Sequence, residues 1–276
     1  MENNEKLIDV KKVIADKNPK LLKVFPNFII NYIKRIVHED EINEHIINNK
    51  GIDGIEFVKN TLFKLFGVNI QYEGLENLKK SQRYIVTSNH PMGGLDGLAI
   101  MYVVSIVNPN IKVPVNDLLL YIPNLKTLFL PINKHGRQNV EAAKEIEKAY
   151  ASDAVIIYFP AGLASRKING EIMDLEWKKS FIQKARQYQR DIIPVYTSGR
   201  NSNFFYNLAN LRKKLGIKSN IEMFFLSNEM FKQKDKNIKI IIGEPIPYTT
   251  FDKFKSDSEW AQYVKNIVYE LRKKSE

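Results

Sequence analysis

The apolar positions of this chain change period near residue 67. Across residues 21–37, Lys23, Asn27, Asn31 and Lys34 form one narrow stripe at helical spacing, and nearly everything else is apolar. Pro26 starts or kinks a helix there. A wide apolar face with a thin basic stripe suits a helix lying at a membrane interface; it equally suits a helix buried against a neighbouring domain. A second helix is predicted over 54–66, with Ile55, Val58, Leu62 and Leu65 on one face and Gly67 as its stop. Beyond it, short apolar runs alternate with helical stretches. Strands are predicted over 68–72, 84–88, 111–115, 129–132, 154–159, 192–196, 222–226 and 238–242. Helices are predicted over 97–107, 140–152, 178–189, 204–215 and 258–274. This alternation implies an α/β fold, a layered mixed or mostly parallel sheet flanked by helices, with an α-helical N-terminal part. The expected division is 1–66, helical and a candidate for the membrane interface, and 67–276, an α/β domain.

Composition narrows the chemistry. The chain has no cysteine, which removes disulfides, thiolate catalysis and thiolate-bound metal. Its four histidines are scattered without metal-ligand spacing, so neither a metal nor a cofactor is expected. His38 and His45, seven apart in a charged stretch, read as a solvated helix face. The formal net charge of +11 suits an anionic membrane surface or an acidic carrier protein, although lysine-rich composition by itself gives the same number. No nucleic-acid motif accompanies the charge, so no nucleic-acid partner is expected. The start is polar and acidic, without a secretory pattern. The longest nearly continuous apolar run, 98–107, is about half of the roughly 20 residues that a spanning helix needs.

The densest chemistry lies at Asn89-His90-Pro91-Met92-Gly93-Gly94-Leu95-Asp96-Gly97, directly after the apolar run 84–88. Histidine titrates near neutrality and can take a proton and return it. A carboxylate on its far ring nitrogen fixes the tautomer and stabilises the imidazolium. Gly93 and Gly94 permit a backbone path sharp enough to bring residues 90 and 96 together. The competing reading is a glycine-rich strand-to-helix turn with an incidental histidine.

Three further segments add to it. They are Tyr158-Phe159-Pro160-Ala161-Gly162-Leu163-Ala164-Ser165-Arg166, Asp191-Ile192-Ile193-Pro194-Val195, and the run from Leu128-Phe129-Leu130-Pro131-Ile132-Asn133 to Arg137. With the His90 block, their order and spacing resemble the glycerolipid (lysophospholipid) acyltransferase superfamily over about residues 70–250. The resemblance implies an acyltransferase that moves a fatty acyl group from acyl carrier protein or coenzyme A to a lysophospholipid or related lyso-lipid. It implies His90 as base with Asp96 behind it, no cofactor, and a cytoplasmic enzyme held peripherally on the inner face of the cell membrane. Two departures stand out. Five residues separate His90 from Asp96 where the family usually has four, and Ala161 replaces the usual acidic residue. The variant resembles the branch of haemolysin-like and ornithine or glycine lipid acyltransferases, so an amino-acid lipid is the alternative product. A lipid-binding protein without catalysis is the second alternative.

On this reading, backbone N–H groups near Gly93, Gly94 and Gly162 are candidate oxyanion donors. Lys134, Arg137, Arg166 and Arg200 are candidate cations for the acceptor head group, Arg137 and Arg166 foremost because a guanidinium fork matches an oxyanion. Solvated surface charge is the competing role for each. The apolar, proline-broken run 118–125 suits an acyl tunnel or ordinary core.

Overall fold

The computed structural model describes residues 7–17, 24–79, 82–116, 119–132, 138–218 and 220–274. Among the described residues the N-terminal part includes α1 (Val10–Lys17), α2 (Asn27–Val37), α3 (Glu39–Asn48) and α4 (Gly54–Asn60). Strands and helices then alternate as β1 (Asn69–Glu73), β2 (Tyr84–Ser88), α5 (Leu95–Ser105), β3 (Ile111–Val115), β4 (Phe129–Pro131), α6 (Gln138–Ala151) and β5 (Val155–Tyr158). A hairpin of β6 (Arg166–Ile168) and β7 (Glu171–Met173) follows, then α7 (Ser180–Tyr188), β8 (Asp191–Thr197), α8 (Asn203–Lys214), α9 (Leu226–Phe231), β9 (Asn237–Ile242) and α10 (Asp257–Leu271).

Seven strands form one sheet in the order β1-β9-β8-β2-β5-β3-β4. Neighbours are parallel except β8 and β9, which run antiparallel. The central strands read as unbroken apolar runs because both of their faces are covered. Val86, Ile157 and Ile193 pack on one side with Phe57, Leu62 and Leu98. Ile85, Ile156 and Ile192 pack on the other with Phe181, Trp260 and Val264. Each such side chain, fully buried, contributes on the order of 2 kcal/mol. The first cluster runs from Ile46 and Phe57 through Val86, so the N-terminal helices share apolar packing with the sheet.

Most predicted elements fall within a residue or two of those observed, and the differences have identifiable causes. Residues 222–226 are not a strand: Ile221–Phe225 is a 3₁₀ turn running into α9. Glu222 is fully buried there against Arg166 at 2.7 Å and Arg212 at 2.9 Å, and those distant partners override the local apolar pattern. The helix predicted to residue 66 widens into a π turn over Thr61–Leu65, closed by Phe66 N–H donating to the Thr61 carbonyl. The β6–β7 hairpin escaped prediction although Asn169-Gly170 marks it; both residues take positive φ, as a tight two-residue turn requires. His38 and His45 are not a solvated face. His38 stacks on Phe231 at 3.8 Å, and His45 lies 3.0 Å from the Thr61 hydroxyl.

Candidate active site

The parallel strands β2, β5 and β8 end on one edge of the sheet, the usual place for a site in an open α/β fold. His90 follows β2, and Asp96 is the second residue of α5. Between them the chain turns through Gly93, whose φ of +80° favours glycine. A Cβ on Gly93 would come within 2.8 Å of Leu226, and one on Gly94 within 2.5 Å of Met230. Helix α9 therefore lies directly over the glycine pair, and a larger residue there would displace the Leu226 or Met230 side chain. The extra residue between His90 and Asp96 is taken up in this turn.

Asp96 is fully buried and accepts from three backbone amides, Met92 at 2.9 Å, Gly93 at 3.3 Å and Gly97 at 2.9 Å. Its Oδ2 lies 3.2 Å from His90 Nδ1, with the N–H off the line to the oxygen, so the contact is a close ion pair more than a linear hydrogen bond. Burial opposes charging Asp96, but His90 and the amides outweigh it and hold the carboxyl below its usual range. Burial likewise disfavours imidazolium at His90; the charges of Asp96 and Asp174 overcome that and raise its pKa. The ring stacks on Phe159 at 4.2 Å, and its side chain remains 16% exposed. With Nδ1 facing Asp96, Nε2 is the nitrogen left for chemistry.

Further residues build this edge, and two of them, Asp174 and Thr197, lie outside the motif blocks. Asn89 clamps the end of β2 to β8, donating to the Thr197 carbonyl at 2.9 Å and accepting the Thr197 N–H at 2.8 Å. Asp174 accepts the His90 N–H at 3.1 Å, while the His90 carbonyl accepts the Ser165 N–H at 2.8 Å. Only the position of Asn89 beside His90 offered a signal in the sequence.

The other candidates are distributed as follows. The Gly162 N–H donates to Phe159 and the Gly93 N–H to Asp96, so both donors are committed inside the protein. The Gly94 amide has no partner among the described residues. Arg166 is buried, donating to Glu222 and to the carbonyls of Ala164 and Ser165. Arg200 is exposed after β8 and donates to Asn203. Lys134 and Arg137 lie outside the described residues. So does Leu118; of the rest of that run, Leu125 is core and Leu119 faces water. No cluster of metal-binding side chains occurs among the described residues.

An α/β sheet with a buried His–Asp pair at its strand ends defines a class of group-transfer site, and sequence relationships make it specific. A family model described as acyltransferase matches residues 12–276, and the chain belongs to that family: it is an acyltransferase. It is 47% identical to a lyso-glycine lipid O-acyltransferase of Bacteroides thetaiotaomicron over 96% of this chain and 97% of that protein. A protein of the same name from Phocaeicola vulgatus is 45% identical over 96% of this chain and 95% of its own. The fold matches the crystal structure of the 1-acyl-sn-glycerophosphate (LPA) acyltransferase PlsC from Thermotoga maritima. The TM-score is 0.50 at 22% identity, over 79% of this chain and 78% of that one.

Proposed function

We propose that the protein transfers a fatty acyl group from a thioester, on coenzyme A or acyl carrier protein, to the hydroxyl of a lyso-lipid with a glycine head group. The observation that carries the acceptor class is the near full-length identity of 47% to a lyso-glycine lipid O-acyltransferase.

In this reading the acceptor hydroxyl gives its proton to His90 Nε2 as its oxygen attacks the thioester carbonyl carbon. Asp96 stabilises the imidazolium that forms. The tetrahedral intermediate collapses, the carbon–sulfur bond breaks, and the thiolate takes the proton from His90. An ester and a free thiol leave. Gly94 is the candidate for holding the oxyanion, because its amide is uncommitted. Exposed apolar side chains, Val24 just before α2 at 73% and Phe28 on it at 72%, support a peripheral seat on a membrane, and we place that seat on the cytoplasmic face. No described helix is long and apolar enough to cross a membrane.

The test is transfer by purified protein from acyl-coenzyme A and acyl carrier protein to a lyso-glycine lipid and, separately, to lysophosphatidate. Ester formation on the glycine lipid is expected. Turnover of lysophosphatidate alone would move the acceptor to the lysophospholipids, and no transfer to either would overturn the reading.

A further inference from the structure

Asp174 sits in the loop after β7, fully buried, 84 residues from His90 in sequence. Its Oδ1 accepts the His90 N–H at 3.1 Å and the Ser165 hydroxyl at 2.5 Å, and its Oδ2 accepts the Trp177 indole N–H at 2.9 Å. Its own main chain is held from α10: the N–H donates to the Tyr269 hydroxyl at 2.6 Å, and the carbonyl accepts from Lys265 at 2.8 Å. All three donors to the carboxylate are neutral. Lys265, the cation alongside, bonds to the backbone carbonyl. A buried carboxylate held only by neutral donors is costly to maintain. Through the His90 N–H this charge lies next to a titratable ring, and it adds to that of Asp96 in favouring the imidazolium.

We infer that Asp174 is a positioning residue for acyl transfer, fixing the backbone of His90 and supplying a second countercharge to the imidazolium that His90 becomes. This rests on His90 being the base, as proposed above. Asp174 joins three segments around the ring: its carboxylate holds the His90 turn and the 159–165 loop whose Phe159 supports the ring, and its main chain holds α10. Burial raises the Asp174 carboxyl above its usual range, against the pull of Ser165, Trp177, the His90 amide and the His90 charge, so its countercharge is strongest when the imidazolium forms beside it.

The experiment compares the pH dependence of kcat/KM for the wild type, Asp174→Asn and Ser165→Ala, with His90→Ala as reference. The groups facing His90 are Asp96, Asp174 and, beyond Asp174, Lys265 and Tyr269. Losing the Asp174 charge makes imidazolium less favourable, so the acid limb of the profile should move to lower pH. The rate on its plateau should fall by about tenfold or more, with acceptor KM little changed. Ser165→Ala should move the limb the same way by less, and it decides the matter if Asp174→Asn does not fold. A folded variant whose limb stays at the wild-type pH would overturn the inference, leaving Asp174 a purely structural group. Activity retained in His90→Ala would instead overturn the underlying assignment of the base.

Discussion

The turn from His90 to Gly97 and helix α2 are two parts of one chain that treat polarity in opposite ways. In the turn, a charged carboxylate is taken wholly out of water and every oxygen is answered by an amide or the imidazole. On α2, large apolar side chains are left in water: Phe28 at 72% and Tyr32 at 44% exposure, on a helix whose other side buries Ile30 and Ile36. Desolvating a charge is costly unless it is fully paired, so the first arrangement persists because a charge is needed there. Leaving apolar surface in water forgoes stabilisation, so the second fits a surface that water does not always cover. On the proposed function, the buried charge marks the chemistry and the exposed apolar area marks a face for docking on lipid.

The sharpest break in this comparison comes at the turn. His90→Ala should lower acyl transfer by about 10³-fold or more, and Asp96→Asn by about 10²–10⁴-fold, with circular dichroism unchanged for His90→Ala. A folded His90→Ala protein with near wild-type turnover would remove the turn from the chemistry. The same pair sets a pH signature. His90 must be neutral to act as base, and its pKa is raised by Asp96 and Asp174 against burial. Activity should therefore climb with pH along a limb lying above the ordinary histidine value of about 6.5. The linkage to stability has the opposite sense: the raised pKa stabilises the fold below about 6.5, and that contribution fades as pH rises through the folded value. A limb below the ordinary value would contradict the ion pair.

Gly93→Ala tests the shape of the turn itself. The new Cβ meets Leu226 at 2.8 Å and Ala164 at 3.0 Å, on a backbone with φ of +80°. Destabilisation of about 1–3 kcal/mol is expected in a thermal melt. Because the strained turn and the displaced Leu226 side chain shift His90 relative to Asp96, kcat should fall by about tenfold. Wild-type melting and activity would mean that α9 is not seated on the turn.

How far the sequence disclosed this site follows from how local each contact is. His90, Asp96 and the glycine pair lie within one nine-residue block, so a histidine–carboxylate pair could be read from it, whereas acyl transfer emerged only from the resemblance carried by four blocks together. Asp174 could not: its link to His90 spans 84 residues and no spacing rule joins them. Arg166 follows a motif and reads as a free cation, but its guanidinium is engaged by Glu222, 56 residues on. The same Glu222 turned a predicted strand into a 3₁₀ turn, so one buried ion-paired cluster accounts for both surprises. The sheet was legible because strands covered on both faces leave unbroken apolar runs, and those runs depend little on distant partners.

The docking face should respond more gently. Phe28→Ser with Tyr32→Ser should weaken binding to anionic vesicles by about tenfold, as expected for losing two partly immersed aromatic side chains. The melting temperature should hold, because both side chains already face water. Turnover of a short-chain, monomeric acceptor should hold as well. Equal loss on vesicles and on monomeric acceptor would place these residues in substrate binding and not in docking.

The smallest effect separates two adjacent basic residues on the same helix. Lys34 donates to the buried Glu39 at 3.0 Å, whereas Arg35 extends over the Tyr32 ring at 5.5 Å on the exposed side. A basic residue near an anionic surface contributes about 1 kcal/mol, screened by salt. Arg35→Gln should therefore weaken vesicle binding by about fivefold in low salt and scarcely at all in high salt, with an unchanged melt. Lys34→Gln should do the reverse. It removes a cation from a buried carboxylate that also caps the start of α1 through the Val10 N–H, so it should lower the melting temperature by a few degrees and leave vesicle binding near wild type. If both variants lost vesicle affinity equally and neither lost stability, Lys34 would belong to the docking face. The division between a helix side that holds the fold and a side that meets the lipid would then have to be redrawn.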